Sequence, residues 1–502
     1  VLNLGSGNQI GDVSTGDIAG RDINRVEITQ DNSITVGNIS SDSVTIGNEV
    51  LRSLQTDDPS LRQAVQTINE VISTGSINSA TSVTIGHTIR QVVQHFNLPS
   101  EAVAALFDLR TQLSASLSLD TAHYTWSNLV ADKLQGFVGR EYVFAEIERF
   151  LSSRPNGYFL IEGDPGIGKS TLLAEYVRRT GCLAYFNHRS LGISSTTQFL
   201  QHLCAQIIID AQLPYTHLPP EATRDGAFLV RLLREAAARL TPGERLVIAI
   251  DALDEVDLAG AAPGANILCL PGHLPNNVYF ILTRRRVDLP LFISTPQQAL
   301  NLMFHQLENR DDVERYLREA VQRPALQAWI VTQGLSADDF VALLAERSEN
   351  NFMYLRLVLP EIAQGAYTSL SATMLPRGLE QYYDDHWVRM GMMTAPLPRA
   401  KIFMIYIICE ARQPVSSSLI AYVARHAKLA MDELDIQAML LDWLQFLHEQ
   451  KVAMGTRYSI YHTSFRDFLH RKDIVQKAGV TIPGINALIA ESLLRELYGD
   501  PD

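Results

Sequence analysis

The chain has 502 residues, 46% apolar and 19% charged, a composition that supplies several hydrophobic cores and excludes wholesale disorder. Its 42 basic residues against 55 acidic ones leave a formal charge of −13, which removes the diffuse basic field behind non-specific nucleic-acid binding and argues against DNA as the main partner. Cys182, Cys204, Cys269 and Cys409 form no C-x-x-C pair, and the longest apolar run, 402–409, is too short to span a bilayer. With no signal-peptide pattern at the start, the expectation is a cytoplasmic protein of three or four domains, its thiols reduced.

In the first fifty residues an acidic residue followed by a β-branched one recurs every five positions: Asp12-Val13, Asp17-Ile18, Asp22-Ile23, Glu27-Ile28. The segment Ser33-Ile34-Thr35-Val36-Gly37-Asn38 is echoed by Ser43-Val44-Thr45-Ile46-Gly47-Asn48 and again by Ser82-Val83-Thr84-Ile85-Gly86-His87. Short β-branched steps between Gly, Asn and Asp corners predict a β-solenoid, with irregular hairpins of the same composition as the alternative. Residues 59–73 and 89–117 have helical spacing, and Leu61, Val65, Ile68 and Val71 share one face. From 121 to 300 the pattern is mixed α/β. Beyond that it is helical, except at 452–462, where two β-rich runs flank Gly455-Thr456 and predict a hairpin.

Within the α/β stretch, the strand Tyr158-Phe159-Leu160-Ile161 runs into Gly163-Asp164-Pro165-Gly166-Ile167-Gly168-Lys169-Ser170-Thr171, and a helical segment follows. This is G-x-x-x-x-G-K-S between a strand and a helix, the context a P-loop requires. Its glycines let backbone N–H groups turn toward phosphates beside the positive end of the helix. Lys169 would neutralise the β- and γ-phosphates, and the Ser170 hydroxyl would ligate magnesium. The apolar strand Leu246-Val247-Ile248-Ala249-Ile250 ends in Asp251-Ala252-Leu253-Asp254-Glu255, and its composition suits a central parallel strand buried on both faces. Carboxylates at such a strand end face the ligand crevice. Asp251 is placed to hold magnesium, while Asp254 or Glu255 would orient or deprotonate the attacking water; a solvated charge run is the alternative for these two. A third strand, Val278-Tyr279-Phe280-Ile281-Leu282, ends in Thr283-Arg284, where an Arg can reach a γ-phosphate. Arg284, Arg285 and Arg286 are the one tight basic cluster.

These motifs, in this order, resemble those of the STAND class of P-loop NTPases, and within it the NACHT family of signalling switches. Phe137-Val138-Gly139-Arg140-Glu141 resembles the segment that holds the adenine and ribose, which implies a nucleotide role for Arg140. Asp251 to Glu255 resembles the family's magnesium strand, and Thr283-Arg284 its sensor position. Asn350-Asn351-Phe352-Met353-Tyr354 resembles part of the small helical domain. Leu375-Pro376-Arg377-Gly378-Leu379, with Tyr382, Tyr383 and Trp387, resembles the link into a winged helix. Tyr461-His462-Thr463-Ser464-Phe465-Arg466-Asp467-Phe468-Leu469 resembles the end of that winged helix, where a His touches the ADP phosphate. Residues 471–502 follow, whereas members of this family usually end in leucine-rich, tetratricopeptide or propeller repeats.

The resemblance covers about 121–469 and not the N-terminal repeats; together with the repeat pattern it implies a multidomain α/β fold. A β-repeat (solenoid-like) and helical region at 1–120 precedes a doubly wound parallel-sheet P-loop NTPase domain at 121–300. A small helical domain at 301–375 and a winged-helix domain with a C-terminal helix at 376–502 complete it. It also implies a slow ATPase serving as a switch. ADP would be held in a closed state, ATP with Mg2+ in an open, self-associating one, with a role in immune defence or regulated cell death. Neither trigger nor effector output is identified by a motif. A conventional ATPase and a transcription regulator of the same class are the rivals, and the acidic balance counts against the latter. By spacing alone His462 reads as a packed core residue; the family order assigns it to the phosphate. Tyr382, Tyr383 and Trp387 read as packing residues, Asp311-Asp312 as a helix start, and His87, His188 and His386 are unassigned.

Lys169→Ala removes the cation beside the phosphates, so ATP and ADP should bind about tenfold more weakly or worse while the sheet stays folded. Unchanged affinities in a folded variant, measured by titration calorimetry, would refute the P-loop assignment.

Overall fold

The computed structural model describes residues 25–28, 34–37, 76–77, 89, 106, 133–134, 136–215, 217–259, 264–365, 367, 375–429, 431–452 and 455–498. The chain forms two compact units, one of Val1–Ala131 with Ile208–His217, the other of Asp132–Ile207 with Leu218–Asp502.

In the first unit β1 (Arg25–Ile28), β2 (Ile34–Gly37) and β3 (Ser76–Ile77) form a sheet in that order. Both pairings are antiparallel, with Val26 opposite Val36 and Ile34 opposite Ile77. A solenoid stacks its coils in parallel, so these strands follow the hairpin alternative and correct the solenoid expectation. The repeat copies at 12–23, 43–48 and 82–87 lie outside the described residues. So do the predicted helices at 59–73 and 89–117, apart from Ile89 and Leu106, which are helical and buried.

The second unit contains the expected parallel sheet. Its strands β4 (Gly157–Glu162), β5 (Leu183–Phe186), β6 (Leu246–Asp251), β7 (Val278–Arg284) and β8 (Gln297–Asn301) lie in the order β5-β6-β7-β4-β8. All four pairings are parallel. The apolar runs of β4, β6 and β7 are almost wholly buried, as strands covered on both faces must be. Helix α1 (Glu141–Ser153) leads into β4 and α2 (Lys169–Thr180) joins β4 to β5. Between β5 and β6 run α3 (Thr196–Asp210) and α4 (Ala227–Ala237). Phe150 of α1 meets Phe159 of β4 with ring centroids 5.6 Å apart, and α2 packs over β6 and β7. The carboxyl ends of β4, β6 and β7 therefore open on one edge, where ligands of such sheets bind.

After the sheet the chain is helical: α5 (Gln306–Ala320), α6 (Pro324–Thr332), α7 (Ala337–Arg347), α8 (Phe352–Ala363), α9 (Gly378–Arg389), α10 (Arg399–Glu410), α11 (Ser417–His426) and α12 (Glu433–Leu441). Then come α13 (Thr463–His470), α14 (Lys472–Ala478) and α15 (Ile482–Tyr498). Helix α5 begins at Gln306, so Asp311 and Asp312 sit inside it and not at its start; Asp312 is buried and accepts the Arg140 N–H at 3.1 Å. A small antiparallel sheet, β10 (Leu447–Val452), β11 (Gly455–Ile460) and β9 (Val415–Ser416), interrupts the helices. The predicted turn residues Gly455-Thr456 belong to its second strand: Val452 pairs with Gly455, so the hairpin closes two residues earlier than predicted. Among the described residues no helix is long and apolar enough to cross a membrane.

Tyr382, Tyr383 and Trp387 are fully buried in an aromatic core with Trp443, Phe446, Phe465 and Phe468, the packing role their helical spacing suggested. Phe446 stacks on Phe465 with centroids 4.5 Å apart. Beside this core Glu361 accepts hydrogen bonds from Tyr367 (2.8 Å), Tyr382 (2.7 Å) and Arg389 (3.0 Å). Burial alone would raise its pKa, but the bonds from His386, Tyr382 and Arg389 hold it down at about 2. The depressed pKa stabilises the fold above the ordinary value of 4.5, and the contribution fades as pH falls toward about 2. Glu361→Ala should cost about 2–4 kcal/mol at pH 7, because it strands two buried hydroxyls and a guanidinium. Urea unfolding at pH 7 and pH 3 checks this: the gap between wild type and variant should narrow at the lower pH.

Candidate functional site

The loop between β4 and α2 is shaped by residues with left-handed backbone. Gly166 (φ 83°) and Gly168 (φ 95°) allow it to fold back on itself, and a Cβ at Gly166 would lie 2.4 Å from Asn351 Oδ1. Lys169, the first residue of α2, folds back so that its Nζ donates to the carbonyls of Gly163 (2.7 Å) and Asp164 (3.1 Å). Burial lowers its pKa, and the neighbouring Asp254 and Asp251 oppose that shift. The N-terminus of α8 sits on the same loop. Phe352 and Met353 N–H groups donate to Gly166 O at 3.0 and 3.2 Å, and Asn351 Nδ2 donates to Pro165 O at 3.0 Å.

Arg140 is 3% exposed and braces the loop from the other side. Its guanidinium donates to Ile167 O at 2.5 Å and to Asn309, and its Nε lies 3.8 Å from Asp312. The Asp312 carboxylate lies so close to Gly139 (φ 73°) that an added Cβ would fall 1.8 Å from it. Arg140 lines the cavity, and through Ile167 O its guanidinium also braces the shape of the loop.

At the end of β6, Asp251 is 2% exposed and its Oδ1 accepts from Thr283 Oγ1 at 2.5 Å. The same hydroxyl oxygen accepts the Ala252 N–H at 2.8 Å, and Ala252 takes a left-handed conformation (φ 52°) that turns the chain sharply at this strand end. Asn187, at the end of β5, donates from Nδ2 to Asp251 O at 2.7 Å. Glu255 accepts the Arg189 N–H at 2.9 Å. Burial, reinforced by Asp254 and Asp251, raises its pKa from 4.5 to about 7, while the Arg189 bond opposes the shift.

The strand end of β7 differs from the expectation. Thr283 faces Asp251, so its successor Arg284 turns to the other side, where it pairs with its register partner Glu162 at 2.6 Å. Arg284 does not line the cavity; Arg285 does. Each of the three arginines is bonded to an acid: Arg284 to Glu162, Arg285 to Asp254 and Asp467, Arg286 to Asp164. The cluster therefore presents no free basic patch.

These groups enclose a cavity of about 460 Å³ whose walls include Pro165, Gly166, Gly168, Lys169, Ser170, Thr171, Asp251, Asp254 and Glu255. Gly163, Asp164 and Ile167 stand behind it and serve through their carbonyls. His462 and Thr463, from the C-terminal helices, line the same cavity. His462 Nδ1 accepts the Ser464 N–H at 3.2 Å and the Ser464 hydroxyl at 2.6 Å, which leaves the ring proton on Nε2. Burial, then Lys133, Lys169, Arg285 and His188, push its pKa to about 3, so it is a neutral donor near pH 7. Asn187 and His188 also line the cavity, and Asn187 Oδ1 and His188 Nδ1 have no hydrogen-bond partner among the described residues. Spacing gave no sign of either; a polar pair directly after an apolar strand, beside the strand that carries Asp251, was the available signal.

If Glu255 takes a proton during the reaction, ATP hydrolysis should rise as pH passes through about 7. Glu255→Gln should slow it by about a hundredfold and flatten that limb, with nucleotide affinity kept. A steady-state pH–rate profile of both proteins checks this; a limb that persists in the variant would remove Glu255 as the base.

The pattern of the AAA ATPase domain family matches residues 136–281, which include the P-loop and Asp251. No curated protein matches the chain. Among solved structures, a Walker-type ATPase of Pyrococcus abyssi is similar at 14% identity with a TM-score of 0.30, over 66% of this chain and 96% of that one. The P-loop, the acidic strand end and the family match together give the chain a nucleotide-binding, P-loop ATPase domain followed by a helical C-terminal region.

Proposed function

We propose that the chain is a nucleotide-dependent switch of the STAND class, holding ADP in a closed state and ATP with Mg2+ in an open one. The observation that carries this reading is that His462 and Thr463 line the same cavity as Lys169 and Ser170. A ligand there would touch both the ATPase core and the C-terminal helices. Further contacts support a closed arrangement: Ser190 Oγ donates to Ile460 O at 3.1 Å, Arg412 pairs with Asp257 at 2.9 Å, and Arg285 reaches Asp467. The order α10, β9, α11, α12 and the β10–β11 hairpin supports a winged helix for this part of the chain.

In this reading the P-loop N–H groups and Lys169 hold the phosphates, and the neutral His462 donates from Nε2 to the terminal phosphate of ADP. Ser170 and Asp251 would hold Mg2+; both line the cavity and offer the hard oxygen donors that this ion takes. Bound there, the ion would neutralise developing phosphate charge. Glu255 orients and deprotonates water, with Asp254 fixing Arg285 beside it. The resemblance to the NACHT family extends the proposal to self-association on activation and to signalling in immune defence or regulated cell death. A conventional ATPase is the second reading, and the near-neutral pKa of Glu255 is what favours it.

A switch requires that the two nucleotides differ in their contacts with the two states. His462→Ala should lower ADP affinity relative to ATP by about tenfold, the worth of one hydrogen bond to a charged group. It should also raise spontaneous assembly seen by light scattering. A stable, monomeric variant with the wild-type ADP-to-ATP ratio would sink the closure.

A further inference from the structure

Arg285 is the point at which the ATPase core and the C-terminal helices meet as charges. Its backbone N–H donates to Asp254 Oδ1 at 3.0 Å, and its Nε lies 2.9 Å from Asp254 Oδ2. The outer guanidinium nitrogens reach the other way, to Asp467 Oδ2 at 2.6 Å and Thr463 Oγ1 at 2.5 Å, both on α13. The side chain is only 22% exposed, lines the cavity, and acts electrostatically on Lys169. One guanidinium thus holds two carboxylates. They are not held alike: Asp254 is bonded through both the main chain and the side chain of Arg285, whereas Asp467 is 50% exposed and sits on a separate helix.

We propose that Asp467 is a specificity-determining residue for the nucleotide, setting the preference between diphosphate and triphosphate by competing with a terminal phosphate for Arg285. The inference rests on the switch reading and gives it a cause. A guanidinium fork matches phosphate as well as it matches carboxylate, and a triphosphate carries more charge to it. That charge would arrive beside Asp254 and Asp467 together, and like charges at such distances repel. Asp467 is the partner free to leave, and α13, with Thr463 at its first turn and His462 as its cap, leaves with it. A diphosphate, lacking the third phosphate, leaves the Arg285–Asp467 pair standing. The pair is partly exposed and adds little to stability, so its effect belongs in the nucleotide ratio and not in the melting temperature.

The test uses the full chain, with ADP and ATP–Mg2+ titrated calorimetrically. Asp467→Asn keeps the shape and removes the charge. It should shift the affinity ratio toward ATP by about two- to fivefold, and high salt should produce a similar shift in wild type. In an Arg285→Met background the same substitution should shift nothing, because the contested group is gone. An unchanged ratio in Asp467→Asn would overturn the proposal, as would a shift that persists without Arg285. Should Arg285→Met fail to fold, the single substitution still decides. Wild type that binds both nucleotides while Asp467→Asn keeps its ratio leaves the switch reading intact and removes this inference alone. Wild type that binds neither removes both.

Discussion

A loop that turns its N–H groups toward a phosphate turns its carbonyls outward, and buried carbonyls must find donors. Every carbonyl from Gly163 to Ile167 has one here: Lys169 serves Gly163 and Asp164, Asn351 serves Pro165, the first amides of α8 serve Gly166, and Arg140 serves Ile167. The donors come from three places in the chain, the segment before α1, the loop's own helix and the helical region after the sheet. The cradle is therefore an assembly and not a local turn. Its geometry depends on α8 being docked, and α8 in turn belongs to the buried Glu361 network beside the aromatic core.

The charges around the cavity show how burial sorts identical groups into different roles. Asp251, Asp254 and Glu255 lie within five positions of one another, yet each has a different donor: the Thr283 hydroxyl, the Arg285 guanidinium and the Arg189 amide. Glu255 has the Arg189 amide to offset its burial, and burial wins, so its pKa rises to about 7. Burial acts in the opposite direction on His462, where it keeps the ring neutral. A carboxyl ready to take a proton and an imidazole ready to donate a hydrogen bond are both products of one enclosed, weakly solvated space.

How much of this could be read beforehand followed the range of the interactions. The P-loop, Asp251 and the buried strands were legible because backbone turns and strand burial leave local marks in sequence. The choice between Arg284 and Arg285 depended on strand parity, which Thr283 sets through a contact with another strand. The hairpin turn was misplaced by the pull of Gly455-Thr456 as a turn signal, although Gly455 is paired in a strand. Asp311-Asp312 looked like a helix start because nothing nearby announces that Asp312 answers Arg140 from across the fold. The repeat at the beginning carried a period but no direction, and strand direction is what separates a stacked coil from a hairpin.

The His462 ring is held by a short chain of hydroxyls. Tyr383 Oη lies 2.8 Å from Ser464 Oγ, which lies 2.6 Å from His462 Nδ1, so the tyrosine donates to the serine and the serine to the ring. Tyr383 is itself packed among Phe446, Phe465 and Phe468. The tautomer presented to the cavity is thus written in the aromatic core, several residues removed from anything a ligand could touch. A screen for variants with an altered nucleotide preference would accordingly gather hits in that core as well as in the cavity wall. Those interior hits would look like packing defects while acting as changes in ligand preference.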